Sequence, residues 1–185
     1  MTDLSSKRVL LLGAETEISR AIASALAEAG AHLALVGASN DSETAFAVQR
    51  LARKLNAEVS QAIDATNEMA VRVMVRQVSK ALGGLDAIVR GAPSTVEFDQ
   101  FQQLLRSVSL LIRFGGRELA RSGGRHLIVI QPDGSQGLGI SWGPGTLVQI
   151  EGPAPQWQMT AVSVGKRRAE EVATEVVATL AAPAR

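Results

Sequence analysis

Cysteine is absent from this sequence. Disulfides, thiolate nucleophiles, iron–sulfur clusters and cysteine-ligated zinc are thereby excluded. Tyrosine is absent too, so any reaction that needs a phenolic acid or base must use another residue. Aromatic side chains make up 3% of the chain, and histidine occurs 2 times, as His32 and His126. Those imidazoles cannot form a His-rich metal site alone, and no metal site is predicted. A dominant charge sign is also missing: 19 basic residues face 18 acidic ones, for a net charge of +1. No global field exists to hold nucleic acid or anionic lipid, and neither partner is expected. The apolar runs Val9 to Leu12 and Leu127 to Ile130 are strand-sized, far below the ~20 residues of a membrane span. The first residues lack the hydrophobic region and cleavage site of a secretory signal. A cytoplasmic location without membrane contact is the expectation.

What is present is a core: 46% of 185 residues are hydrophobic, enough for a single domain over 1–185. Arg8-Val9-Leu10-Leu11-Leu12 is a continuous apolar run ending in Gly13, the pattern of a strand buried on both faces of a parallel sheet. A helix follows, with Thr16 as N-cap, Ile18, Ile22, Ala25, Leu26 and Ala29 on one stripe, and Gly30 as a left-handed stop. The alternation repeats. Strands are predicted at His32–Val36, Glu58–Ile63, Leu85–Val89 and His126–Ile130. Helical stripes lie between them: Ala45 to Leu55, Val71 to Leu82, and a long pattern from Phe101 toward Gly123-Gly124. Asp64-Ala65-Thr66-Asn67 reads as turn and cap. Beyond Gln131 the segment 132–145 is rich in Gly and Pro and reads as loop. A strand is predicted at Thr146–Glu151, another at Met159–Val164, and a last helix at Lys166–Leu180. The fold class is α/β, a three-layer Rossmann-like sandwich with a mostly parallel sheet and right-handed crossovers.

The segment Leu11-Leu12-Gly13-Ala14-Glu15-Thr16-Glu17-Ile18-Ser19-Arg20-Ala21-Ile22-Ala23 resembles the N-terminal signature of the short-chain dehydrogenase/reductase family. Asp64-Ala65-Thr66 sits where that family has an Asp contacting the adenine region. Leu85 to Pro93 is similar to its fourth-strand segment, which ends Asn-Asn-Ala-Gly. The likeness covers about Lys7 to Gln131. It implies a dinucleotide site whose candidates are Gly13, Ala14, Ile18, Asp64, Ala65, Gly91 and Ala92.

The departures from the pattern are chemical. The three glycines of the family's phosphate turn become Gly13, Glu17 and Ser19. Glycine there allows the backbone to approach pyrophosphate at a helix N-terminus. Glu17 brings bulk and a repelling charge, and could itself satisfy the helix terminus in place of the anion. NAD or NADP binding is therefore expected to be weakened or lost. Arg90-Gly91 replaces the paired asparagines and Pro93 the final glycine. Arg90 has two readings: a structural arginine reaching solvent, or a guanidinium offered to a phosphate or carboxylate in the cleft.

Catalysis in the family relies on a Ser, a Tyr and a Lys four residues after it, with an Asn from the preceding helix. Here no Tyr exists, and Lys7, Lys54, Lys80 and Lys166 all lie away from the expected position. The loop at 132–145 stands in place of the catalytic helix. Gln131, Pro132 and Asp133 occupy the region of the Ser, and Ser107-Val108-Ser109 that of the Asn. No catalytic residue is assigned. Asp133, Ser135 and Ser141 are substitute candidates by position, against the plainer reading of turn formers. His126 has no identifiable triad partner.

Several features fall outside the motif. Arg113, Arg117 and Arg121 form an i, i+4, i+8 stripe, either a solvated face or a surface for an acidic partner. Gly115-Gly116 inside the same pattern marks a kink, a break or a close crossing that would suit a dimer. Trp142 and Trp157 read as core caps. Lys166-Arg167-Arg168 opens a helix with the wrong sign for its dipole, so pairing with Glu170 or Glu171 or an anionic partner is expected. Together these features predict a short-chain dehydrogenase/reductase-like protein that has lost catalysis. It would act as a binding or partner subunit, homo-oligomeric or joined to another subunit of this kind. The alternatives are an NAD(P)-dependent oxidoreductase with an atypical site, and a nucleotide or ligand sensor.

Overall fold

The computed structural model describes residues 2–133 and 157–182. The predicted strand at 146–151, most of the loop at 132–145, and Ser135, Ser141 and Trp142 lie outside the described residues. Six strands alternate with helices: β1 (Arg8–Leu12), α1 (Glu17–Glu28), β2 (His32–Gly37), α2 (Ser42–Leu55), β3 (Val59–Ala62), α3 (Glu68–Leu82), β4 (Ala87–Arg90), α4 (Phe98–Leu110), a π-helical turn (Leu111–Gly115), α5 (Gly116–Ser122), β5 (His126–Gln131), β6 (Gln158–Ser163) and α6 (Ala169–Ala181). Every described strand pair is parallel, in the order β3-β2-β1-β4-β5-β6. This is the doubly wound order whose direction reverses between β1 and β4, the crevice where such sheets bind ligands.

Local chemistry accounts for the elements. Val9, Leu10, Leu11 and Leu12 are wholly buried, as a central parallel strand requires. Thr16, Asp41 and Asn67 cap their helices through side-chain oxygens that accept from Ser19 N, Thr44 N and Ala70 N. Each cap removes one orphan donor of a first turn. The stops are left-handed: Asn56 ends α2, Gly83 ends α3 and Gly123 ends α5. The crossovers place α1 and α2 on one face of the sheet and α3 with α4 and α5 on the other; α6 packs on α1. At the N-terminal end of the strands, Arg8 clamps Asp86, with Nε to Oδ2 at 2.8 Å and Nη2 to Oδ1 at 3.1 Å.

Three expectations shift. The fourth strand is Ala87–Arg90 rather than Leu85–Val89, because Arg90 still pairs in register with Leu12. The last helix begins at Ala169, and two of the three basic residues before it are paired, Arg168 with Glu171 and Arg167 with Glu175. The long helix is interrupted where Gly115 and Gly116 occur. A side chain on Gly115 would meet Ile88, and one on Gly116 would meet Trp157. The glycine pair thus serves close packing within the chain, the crossing that its composition suggested. Trp157 is buried, as a core cap should be.

Candidate functional site

A cleft of about 230 Å³ opens at the C-terminal ends of the strands, at the reversal point of the sheet. Its lining comes from the loops after β1 (Glu15, Thr16), β2 (Ala38, Ser39), β3 (Ala65, Thr66) and β4 (Arg90, Pro93), and from Gln103 and Leu104 of α4. Four of the loops that a Rossmann sheet gathers therefore converge here, because parallel strands all point their carboxyl ends to one side.

The turn after β1 is tied down by its own chain. Gly13 holds φ at +91°, a conformation open mainly to glycine. Gly13 N and Ala14 N both donate to the Val36 carbonyl, at 2.7 and 3.1 Å. Thr16 does three things: it caps Ser19 N, donates to Ser19 Oγ at 2.8 Å and reaches the Ala92 carbonyl at 3.2 Å. Ser19 is buried against Gly91, where any Cβ would collide with Ser19 Oγ. The two departures from the family pattern are therefore complementary: a side chain added at position 19 fills space vacated at position 91. Ile18 and Ala14 are buried in the core beneath the turn.

The carboxylates near this turn divide differently from the sequence expectation. Glu17 is exposed as the first residue of α1, where its charge favours the helix dipole. Glu15, which the sequence did not single out, turns back to the end of β2 and accepts from Ala38 N, at 3.2 Å to Oε2. Glu15 rather than Glu17 is the acid that occupies a backbone donor in the cleft, at the end of β2 and not at the helix terminus.

Arg90 corrects the solvent-reaching reading: it is 8% exposed. Nε donates to Ser107 Oγ at 2.8 Å, and Nη1 donates to the carbonyls of Gly91 and, at 3.4 Å, Leu12. Ser107 is itself buried and donates to the Leu104 carbonyl at 2.8 Å. The Arg90 guanidinium packs so closely on Gly13 that a Cβ there would strike it. Burial lowers its pKa to about 10, against the raising influence of the Glu15 carboxylate. Its charge meets oxygen dipoles rather than a carboxylate among the described residues, and it forms part of the cleft wall.

On the β3 side, Asp64 Oδ1 accepts from Thr66 N at 2.9 Å and from Thr66 Oγ1 at 2.7 Å. Those bonds hold its carboxyl below the usual range, the Thr66 hydroxyl first among the causes. Arg106 Nε donates to the Thr66 carbonyl. Ala65 N donates to the Ala38 carbonyl at 3.2 Å. Asp64 Oδ1 and Ala65 N thus both take part in the turn. Gly91 N donates to the Leu12 carbonyl, and Ala92 is buried.

Where the family's proton relay would stand, Gln131 is buried and accepts from Ser163 Oγ at 3.2 Å. Asp133 is exposed and bridges Thr95, with its N–H donating to the Ser94 carbonyl. Ser109 is exposed on α4, away from Ser107. Among the described residues no cluster of metal-ligating side chains exists, and no helix is long and apolar enough to cross a membrane. Two N–H groups of the turn, those of Gly13 and Ala14, serve Val36, and Glu15 and Glu17 flank the helix start.

Comparison with known proteins adds relatives to this geometry. A family model described as Enoyl-(Acyl carrier protein) reductase matches residues 13–105, half of the chain. No curated protein matches the sequence. The structure is similar to a metagenomic short-chain oxidoreductase in complex with NADP, with a TM-score of 0.73 at 20% identity over 98% of this chain and 94% of that one. It is similar to an alcohol dehydrogenase from the archaeon Thermococcus sibiricus complexed with 5-hydroxy-NADP, with a TM-score of 0.69 at 20% identity over 96% and 91% of the two chains. A short-chain type dehydrogenase/reductase from Mycobacterium marinum is 27% identical, with a TM-score of 0.55, over 70% of this chain and 57% of that one. Doubly wound topology, the strand-end cleft and the matched segment lead to one assignment: the chain belongs to the short-chain dehydrogenase/reductase family.

Proposed function

We propose that this protein is a non-catalytic member of its family, a binding or partner subunit rather than a carrier of hydride-transfer chemistry. The observation that carries this reading is the complete absence of tyrosine. Carbonyl reduction needs a proton delivered as hydride arrives, by a group within hydrogen-bond reach and of suitable pKa. Among the described residues the cleft wall offers Arg90, tied to Ser107 and backbone carbonyls, and Glu15, which accepts from Ala38 N. Two carboxylates at the helix start, Glu15 and Glu17, oppose tight binding of NAD or NADP, because they repel a ligand phosphate there.

The test is direct: purified protein with NADPH or NADH and a panel of aldehydes and ketones, followed by nicotinamide absorbance, alongside calorimetric titration of NADP and NAD. No oxidation above the protein-free rate is expected. Turnover proportional to protein concentration would overturn the proposal. A second reading, a nucleotide sensor, is favoured by the open cleft and by the fold neighbours solved with NADP and 5-hydroxy-NADP. Saturable NADP binding without turnover would select it.

A further inference from the structure

The stripe Arg113, Arg117, Arg121 has a partner that the linear sequence conceals. Helix α3 carries Arg72, Arg76 and Lys80 at the same i, i+4, i+8 spacing, all exposed. Helices α3 and α5 lie side by side on one face of the sheet, both running toward the N-terminal ends of the strands. Between them are two hollows, of about 630 and 280 Å³, and Arg76 and Arg121 line both, so the hollows form one groove. Lys80 and Arg8 border its lower part, Arg72 and Arg117 its upper part.

Glu118 lines the upper hollow, where its charge is felt by Arg76 as well as Arg121, but most of the cationic charge is left over. Arg8 is paired with Asp86, Arg121 with Glu118, and Arg113 with Glu68. Arg72, Arg76, Lys80 and Arg117 have no carboxylate at ion-pair distance among the described residues. Because the whole chain carries only +1, the positive surplus is concentrated in this groove and is offset elsewhere. Such a distribution orients an anionic partner instead of attracting anions at large.

Spacing identifies the partner's form. Cations four residues apart on a helix repeat about every 6 Å along its axis, and carboxylates four residues apart on a partner helix repeat identically. Two parallel cationic rims therefore match a helix with an acidic edge on each side. Met69 and Val73, also exposed on α3, lie outside the lining of both hollows, so charge and spacing carry the match. Single-stranded nucleic acid would need stacking platforms, whereas Phe114, the aromatic residue lining the groove, is buried.

We propose that the groove between α3 and α5 docks an acidic amphipathic helix of a partner protein. The proposal is independent of whether the cleft binds a nucleotide, since cleft and groove open at opposite ends of the strands.

The probe is a designed peptide of about five helical turns, with glutamates four residues apart along two edges and leucines between them. It is titrated against the full chain by fluorescence anisotropy. Expected is saturable binding that weakens as salt is raised and falls about tenfold or more in Arg76→Glu/Arg117→Glu. The same loss is expected in the milder Arg72→Gln/Lys80→Gln, with circular dichroism unchanged for both. A composition-matched scrambled peptide should bind about tenfold more weakly. The proposal fails if the peptide does not bind, if both variants bind it normally, if the scrambled peptide binds equally, or if oligodeoxythymidine or phosphatidylglycerol vesicles bind in preference.

Discussion

Ser19 and Gly91 show how a motif can be lost without a loss of packing. Each alone departs from the family pattern, yet Ser19 Oγ occupies the volume that a Cβ at position 91 would need. Gly91→Ala should therefore destabilise the fold by roughly 1–3 kcal/mol, the usual cost of overfilling a core. In a Ser19→Gly background the same change should cost at least about 1 kcal/mol less. A double-mutant cycle by urea denaturation measures this, and additive effects would refute the pairing. His126 makes a second case. Burial, with Lys7 and Arg125 nearby, lowers its pKa, and its Nδ1 has no hydrogen-bond partner. The unfolded chain binds the proton more readily, so stability should rise with pH through the region just below about 6.5, the ordinary imidazole value. It should be lost progressively as pH falls through the folded pKa. His126→Gln should flatten that slope in urea midpoints taken between about pH 5 and 7; an unchanged slope would contradict the assignment. Asp41, Asp64 and Asp86, all held below the ordinary carboxylate range, contribute in a separate window. Their stabilisation is present above about pH 4 and lost in stronger acid.

The rod formed by α4, the π-helical turn and α5 repeats this logic at the level of an element. Gly116 has helical backbone angles, so helix propensity alone would reward alanine by about 1 kcal/mol. Its missing side chain instead makes room for the Trp157 ring, while Gly115 makes room for the tip of Ile88. A rigid buried indole yields less readily than a terminal methyl. Gly116→Ala should therefore lower stability by roughly 1–3 kcal/mol, and by more than Gly115→Ala. Thermal unfolding of the two variants decides it, with the reverse order as the refuting result. The glycine pair marked this place in the sequence as a kink, break or close crossing, but apolar spacing cannot register a single wide turn.

For the whole molecule, the alternation of strand and helix and the layers were readable because the central strands appear as unbroken apolar runs and the first helices are bracketed by a cap and a stop. Thr16 and Asn67 were legible as caps since their partners lie three residues away. The interior of the cleft was not. Arg90 finds Ser107 across 17 residues and Glu15 finds Ala38 across 23, and no local pattern announces contacts made only when strand ends gather. The cationic groove was half visible for the same reason, one stripe in each of two helices. The wide turn at Leu111–Gly115 ties these scales together. A π turn accommodates one residue more than regular α geometry, and each residue rotates a helix by about 100°. Ahead of Arg117 and Arg121, it acts as a phase shifter: excising one residue there would swing both guanidinium groups around the rod axis and away from the opposite row, with every strand still in place.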